Sequence, residues 1–290
     1  MVKDNSCGIA DLQDKMLDIL KYFINICDSH ELQYWAGGGT CLGALRHQGF
    51  IPWDDDLDVF MPRPDYEKFY RLWNTTESNK KYKLCRTTRE KNYHHRVMQI
   101  VDLTTTFINK RSVNEDIEHG VYIDIIPMDA MAKSRLGHLG QMKDSIVYSI
   151  YNVQTLPEFQ GGKAMRLGTK LFLDAIKDPD KRYRKWKAAE RRMTRYSWDK
   201  AKYAIELTTS FTSINRPWPK EWFVGRRMEP FEDIEICVPT GAEAYMTEVY
   251  GDFMKLPPKS EQIVKHNTVF IDIHKPYTEY RGIYYLVNKG

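Results

Sequence analysis

The chain has none of the marks of a disulfide-stapled or zinc-ribbon protein. Its cysteines, Cys7, Cys27, Cys41, Cys85 and Cys237, are an odd number and none forms a C-x-x-C pair. That usage fits a reducing compartment. No run of about 18 apolar residues occurs, so no helical membrane span is expected. The opening Met1–Ser6 lacks the apolar centre of a signal peptide. These absences lead to the expectation of a cytoplasmic chain, with contact to the inner face of a membrane left open. There is no internal repeat and no low-complexity tract. The net charge of +4 is too small to call for nucleic acid.

What is present is enough apolar and aromatic material for a packed core. Hydrophobic residues make up 42% of 290 and aromatics 13%, which argues against disorder. From Ile9 to Leu32, Leu12, Met16, Ile19, Leu20, Phe23, Ile24 and Cys27 recur at helical spacing, predicting an amphipathic helix. A second helical pattern runs from Asp65 to Trp73, behind Pro62 and Pro64. Tyr82–Cys85, Arg96–Asp102 and Thr105–Ile108 read as strands, the last two joined by a Leu103–Thr104 turn.

The chemistry is concentrated in Tyr34–Met61. Strand-like Tyr34-Trp35-Ala36 leads into Gly37-Gly38-Gly39-Thr40 and then a short helical pattern, Cys41–Arg46. Backbone N–H groups at such a turn and helix start can cradle a phosphate. Downstream, four aspartates fall in five positions, Asp54, Asp55, Asp56 and Asp58. Alternation puts Asp56 and Asp58 on one strand face and Leu57 and Val59 on the other. Like charges so placed repel unless a cation lies between them, and hard oxygen ligands suit Mg²⁺ or Mn²⁺. A phosphate cradle beside such a pair is the minimal kit for phosphoryl or nucleotidyl transfer.

Gly120–Met128 is the next strong strand, and it carries a lone aspartate, Asp124, among apolar neighbours. Burial there is costly without a partner, so Asp124 is expected alongside Asp56 and Asp58 as the third carboxylate. Asp129, just past Pro127, is expected to cap or turn the chain. Arg135–Ser197 is helical, with breaks at Gly161-Gly162 and Asp178-Pro179. Within it, Lys181–Arg195 holds eight Lys or Arg against the single Glu190. That stretch reads either as a solvated basic face or as a surface for an anionic partner, with peripheral membrane contact through 181–196 one form of it. Thr208–Phe223 reads as an ordered loop, Asp233–Val238 as a strand and Gly241–Tyr250 as a helix.

Three blocks resemble the LicD family of bacterial phosphocholine transferases, to which the fukutin-related proteins are distant relatives. They are Gly38–Thr40 with Leu42–His47, Gly49–Val59 and Met61–Arg63; then Gly120–Asp129; then the run from Pro230-Phe231-Glu232 to Tyr250–Pro258. The resemblance implies an α+β fold, with a nucleotidyltransferase-like mixed sheet flanked by helices and a helical insertion. The expected layout is a catalytic core over 1–133, a basic helical insertion over 134–222 and a C-terminal segment over 223–290 that completes the catalytic domain.

It also implies transfer of a phospho-alcohol from a CDP-linked donor, CDP-choline or a related CDP-alcohol, to a sugar hydroxyl of a glycan or a lipid-linked glycan. Asp56, Asp58 and Asp124 would carry the metal, Mg²⁺ or Mn²⁺. Gly38, Gly39 and Thr40 would cradle phosphate, with Arg46 a counter-charge. A quaternary ammonium is held by ring faces, for which Trp53, Trp218 and Trp222 are candidates. Arg226, Glu232, Lys259 and His266 are noted only for their place in or near the blocks. Transfer of NMP from an NTP, a CDP-glycerol or CDP-ribitol donor, and a non-catalytic scaffold at the membrane stay open as alternatives.

Overall fold

A computed structural model describes residues 8–75, 80–155, 162–209, 212–264 and 268–287. His266 lies outside the described residues, as does Gly161. The protein is α+β, and it divides into two compact units: 1–85 with 98–126 and 221–290, and 86–97 with 127–220.

In the first unit, α1 (Ile9–Ser29) takes shape because its apolar residues form one stripe. Phe23 of that stripe packs edge-on against Tyr34 and tilted against Phe69 of α3 (Arg63–Thr75). The strands are β1 (Trp35–Ala36), β2 (Asp58–Pro62), β3 (Tyr82–Cys85), β4 (Met98–Asp102) and β5 (Thr106–Asn109), followed by the first half of β6 (Tyr122–Ala130). All of these but β5 make a sheet in the order β1-β2-β6-β4-β3. Gln99 of β4 stands directly opposite Asp124 of β6.

The turn after β4 forms where the sequence places it, ordered by the Asp102 carboxylate, which accepts from the N–H and hydroxyl of Thr104. It does not make a hairpin, however. The β5 strand pairs instead with β11 (Thr268–Asp272) in a separate two-stranded sheet. Another two-stranded sheet joins β9 (Arg227–Phe231) to β10 (Ile234–Val238). Helices α2 (Gly38–His47) and α7 (Ala242–Tyr250) complete the unit.

In the second unit, the end of β6 pairs with β7 (Tyr203–Glu206), which pairs with β8 (Trp218–Pro219). Its helices are α4 (Arg135–Val153), α5 (Gly162–Ala175) and α6 (Pro179–Met193). Ser134 caps α4 and Asp178 caps α6, each accepting from the backbone N–H three residues on. The core joins Tyr148 and Tyr151 of α4, Trp186, Ala189 and Met193 of α6, and Ile205 and Leu207. Trp186 and Met193 of the basic stretch therefore face inward, and its cations are exposed except for half-buried Arg182.

Asp129 does not cap or turn the chain. It is buried inside β6, opposite Ile205, because the strand runs on past Pro127.

Glu206 is 7% exposed, and burial pushes its carboxyl up from the ordinary 4.5 to about 7. The folded state thus holds this proton more tightly than the unfolded chain. The resulting penalty is absent below about pH 4.5 and fully present above about 7, costing about 3 kcal/mol there. Denaturant melts across that window should show wild-type stability falling relative to Glu206→Gln. Parallel curves for the two proteins would refute the assignment.

Candidate active site

The Gly-Gly-Gly-Thr stretch is the start of a helix rather than a free turn. Gly37 is the N-cap of α2, and its N–H donates to the Asp58 carbonyl at 3.0 Å. Gly38 has a φ of +42°, a left-handed conformation that glycine adopts without strain. Its N–H donates to the Tyr245 hydroxyl of α7 at 3.1 Å. A Cβ on Gly38 would stand 3.5 Å from Asp58 Oδ2 and 3.9 Å from the Tyr250 hydroxyl.

Gly39 is tighter still, since its Cβ would come within 2.7 Å of Asp54 Oδ2. Gly39→Ala must therefore push the Asp54 carboxylate aside, and turnover is expected to fall about 10- to 100-fold with little change in melting temperature. Steady-state kinetics on the variant decide this; wild-type kcat/KM would mean that the Asp54 position does not matter.

Thr40 turns its hydroxyl away from the helix start to accept the Asp58 N–H at 2.9 Å. It is buried and works as a positioning residue, fixing the strand at the aspartate. The loop between α2 and β2 is pinned from two distant segments. Gln13 of α1 donates from Nε2 to the carbonyls of Ile51 at 3.0 Å and Asp54 at 2.9 Å. Glu232, at the β9–β10 turn, accepts the Phe50 N–H at 2.9 Å.

The acidic pair leads directly into the sheet. Leu57 and Val59 are buried while Asp56 and Asp58 are partly exposed. The Asp124 N–H donates to the Leu57 carbonyl at 2.9 Å, so β6 meets the chain between the two aspartates. Asp124 Oδ1 accepts from Gln99 Nε2 at 2.7 Å, a cross-strand contact that orients the carboxylate.

Two tyrosines register the combined charge. The Tyr122 hydroxyl is pushed well above its ordinary value, first by burial and then by Asp124, Asp56, Asp55 and Asp58. That of Tyr250 is also pushed up, first by burial and then by Asp58, Asp54 and Asp56. Asp56 and Asp58 act on both tyrosines, which brings the aspartates of β2, of β6 and of the loop before β2 into one negative field. The donor set is oxygen only, which fits Mg²⁺ or Mn²⁺ in kind. Among the described residues, no three His, Cys, Asp or Glu side chains close on a common point as a metal cage.

The other candidates have definite places. Arg46 donates from Nη1 to the carbonyls of Phe253 at 2.8 Å and Lys255 at 3.4 Å, and from Nε to His47 at 2.9 Å. It thereby fastens the segment after α7. Burial lowers the pKa of His47, with the Arg46 charge adding to it. Trp53 is half-buried, edge-on to His47 at 6.1 Å between centroids. Trp222 lies against Gly241, and Trp218 is buried in the second unit. Arg226 pairs with Asp28 at 2.5 Å.

Gln13, Gln99, Tyr245 and Tyr250 escape the sequence reading. Tyr245 and Tyr250 carried a signal there only by lying in the third family-like block.

Residues 31–146 match the LicD/FKTN/FKRP nucleotidyltransferase domain. The chain thus carries a LicD-type domain over those residues. Lipopolysaccharide cholinephosphotransferase LicD of Haemophilus influenzae is 26% identical over 270 residues, covering 86% of this chain and 92% of that one. Human ribitol 5-phosphate transferase FKRP is 41% identical over 39 residues, 13% of this chain and 8% of that one. An uncharacterized protein of Rickettsia prowazekii is 39% identical over 74 residues, 21% of this chain and 28% of that one. Among the described residues, no helix of this chain is long and apolar enough to cross a membrane.

Proposed function

We propose that the protein transfers phosphocholine, or a related phospho-alcohol, from a CDP-linked donor to a sugar hydroxyl of a cell-surface glycan or its lipid-linked precursor, releasing CMP. The observation that carries this reading is the likeness to a cholinephosphotransferase along nearly the whole of both chains. The name of the ribitol 5-phosphate transferase supports the wider class of phospho-alcohols.

In this reading, Asp56, Asp58 and Asp124 hold a divalent cation, Mg²⁺ or Mn²⁺. Its chemistry would be to neutralise the donor diphosphate and the departing CMP. The chain's own groups do the positioning. Gly38 and Gly39, partly exposed at the start of α2, let a phosphate approach the backbone closely, as no larger residue would. Thr40 and Gly37 lock the Asp58 backbone beneath it. Gln99 holds the Asp124 carboxylate, which accepts the proton of the attacking hydroxyl. Arg46 supplies positive charge at the helix's other end, and Trp53 offers a ring face to a quaternary ammonium. Little covalent chemistry is required, so orientation and charge carry the rate.

A thermal-shift panel of CDP-choline, CDP-glycerol, CDP-ribitol and plain NTPs, each with Mg²⁺ and with chelator, tests the donor. Saturation at about 100 times the dissociation constant stabilises by about 2.7 kcal/mol. Metal-dependent stabilisation by a CDP-alcohol supports the reading. Stabilisation by NTPs alone would replace it with NMP transfer.

A further inference from the structure

Helix α5 carries apolar side chains on two opposite sides. Inward, Thr169 and Leu173 are buried, and Leu173 and Ile176 join the core of the second unit. At 3.6 residues per turn, Leu167 and Leu171 project from the opposite side. They are 60% and 61% exposed; Phe172, rather more than a quarter turn round from Leu171, is 51% exposed.

The helix is tied down through its backbone. The Tyr151 hydroxyl donates to the Phe172 carbonyl at 3.4 Å, and Arg182 of α6 donates to the carbonyls of Leu173 at 2.8 Å and Ile176 at 2.6 Å. None of these bonds covers the outward stripe.

Cations line one flank of that stripe and the helix that follows it. Arg166 and Lys170 lie along one flank of α5, and exposed Lys177 follows its end. The acids among them are engaged: Asp174 pairs with Lys170 at 2.5 Å, Asp178 caps α6 and Asp180 pairs with Arg89 at 3.1 Å. Arg182 brings the start of α6 to the end of α5, and with it exposed Lys181, Arg184 and Lys185. Helix α6 offers no apolar contact of its own, because Trp186 and Met193 are buried and Tyr183 is half-buried. The charge of the basic stretch thus lies next to an apolar stripe on its neighbour.

A partner for this surface must be apolar within and negative at its face. The exposed apolar side chains of α5, Leu167, Leu171 and Phe172, are far fewer than the roughly 20–30 residues that each partner contributes to a stable interface. At 14 residues the helix is too short to span a bilayer. A short helix with an apolar stripe and a cationic flank has the form of one that lies in the plane of a lipid interface.

We propose that α5 docks the protein on an anionic lipid bilayer. Leu167, Leu171 and Phe172 enter the acyl boundary, and Arg166, Lys170, Lys177 and the first turns of α6 meet the headgroups. This goes beyond the transfer reaction and stands whether or not the donor assignment holds.

The test is co-sedimentation of the full chain with vesicles of phosphatidylcholine alone and of phosphatidylcholine mixed with phosphatidylglycerol. Binding is expected to be about tenfold stronger to the mixed vesicles and to weaken with salt. Leu167→Glu combined with Leu171→Glu should lower it about tenfold or more. Circular dichroism and melting temperature should stay at wild-type values. Leu171→Trp gives a reading that does not depend on the double variant folding, since its emission should shift to the blue on mixed vesicles. Three results would overturn the proposal: equal binding by the wild type and a folded double variant, no vesicle binding by the wild type, or a change in oligomeric size in the double variant, which would make a second copy the occupant.

Discussion

Asp58→Asn is expected to lower turnover by about 10³-fold or more while leaving the metal-free melting temperature at or slightly above the wild-type value. The asparagine keeps the shape and the backbone, so the Asp58 N–H still reaches Thr40 and its carbonyl still receives Gly37. What it removes is one negative charge from a site where Asp54, Asp56 and Asp58 together act on the Tyr250 hydroxyl. Losing a charge from such a crowd relieves repulsion in the metal-free protein, which is why stability does not drop. Mg²⁺-dependent stabilisation should be lost with activity. A variant that kept its turnover would remove Asp58 from the mechanism.

Arg86→Met carries the largest expected cost in stability. Arg86 Nη2 donates to Glu190 Oε1 at 2.9 Å, with both side chains 6% exposed. The pair joins the 86–97 segment to α6 inside the second unit. Removing the guanidinium leaves one oxygen of a buried carboxylate without it, while Lys187 stays 2.5 Å from the other oxygen. Breaking a buried pair from one side costs about 3–5 kcal/mol, which corresponds to a fall of about 10 °C in melting temperature. Replacing both partners, Arg86→Met with Glu190→Met, should restore most of the loss, because neither charge is then left behind. Calorimetry on the two variants reads this directly. A single variant within about 1 kcal/mol of wild type would show that the pair is not structural.

The sequence shows local features clearly and long-range ones hardly at all. Helix α1 and the strand Tyr82–Cys85 are written in apolar spacing that a few neighbouring residues fix. The acidic alternation Asp56-Leu57-Asp58-Val59 is legible for the same reason. By contrast, β7 is a four-residue strand whose Tyr-Ala-Ile-Glu pattern does not separate it from the loop around it, and the β5 strand pairs with a partner more than 150 residues away.

The supports of the candidate site are equally remote. Tyr245 reaches Gly38 across 207 residues and Glu232 reaches Phe50 across 182. No local pattern encodes such contacts. The hydroxyl of Thr40 and the guanidinium of Arg46 show the other limit, because residue type suggests a phosphate ligand while folding turns both groups toward backbone. Glu206 and Asp129 are charged residues within buried strand segments, where composition alone suggests the surface.

The proposed transfer rests on the likeness to LicD. Product analysis with CDP-choline, a glycan acceptor and Mg²⁺ tests it most directly. Stoichiometric release of CMP with phosphocholine on the acceptor, lost with chelator and in Asp58→Asn, is the result expected. Pyrophosphate from an NTP, with no CMP from any CDP-alcohol, would show that the carboxylates serve nucleotidyl transfer instead.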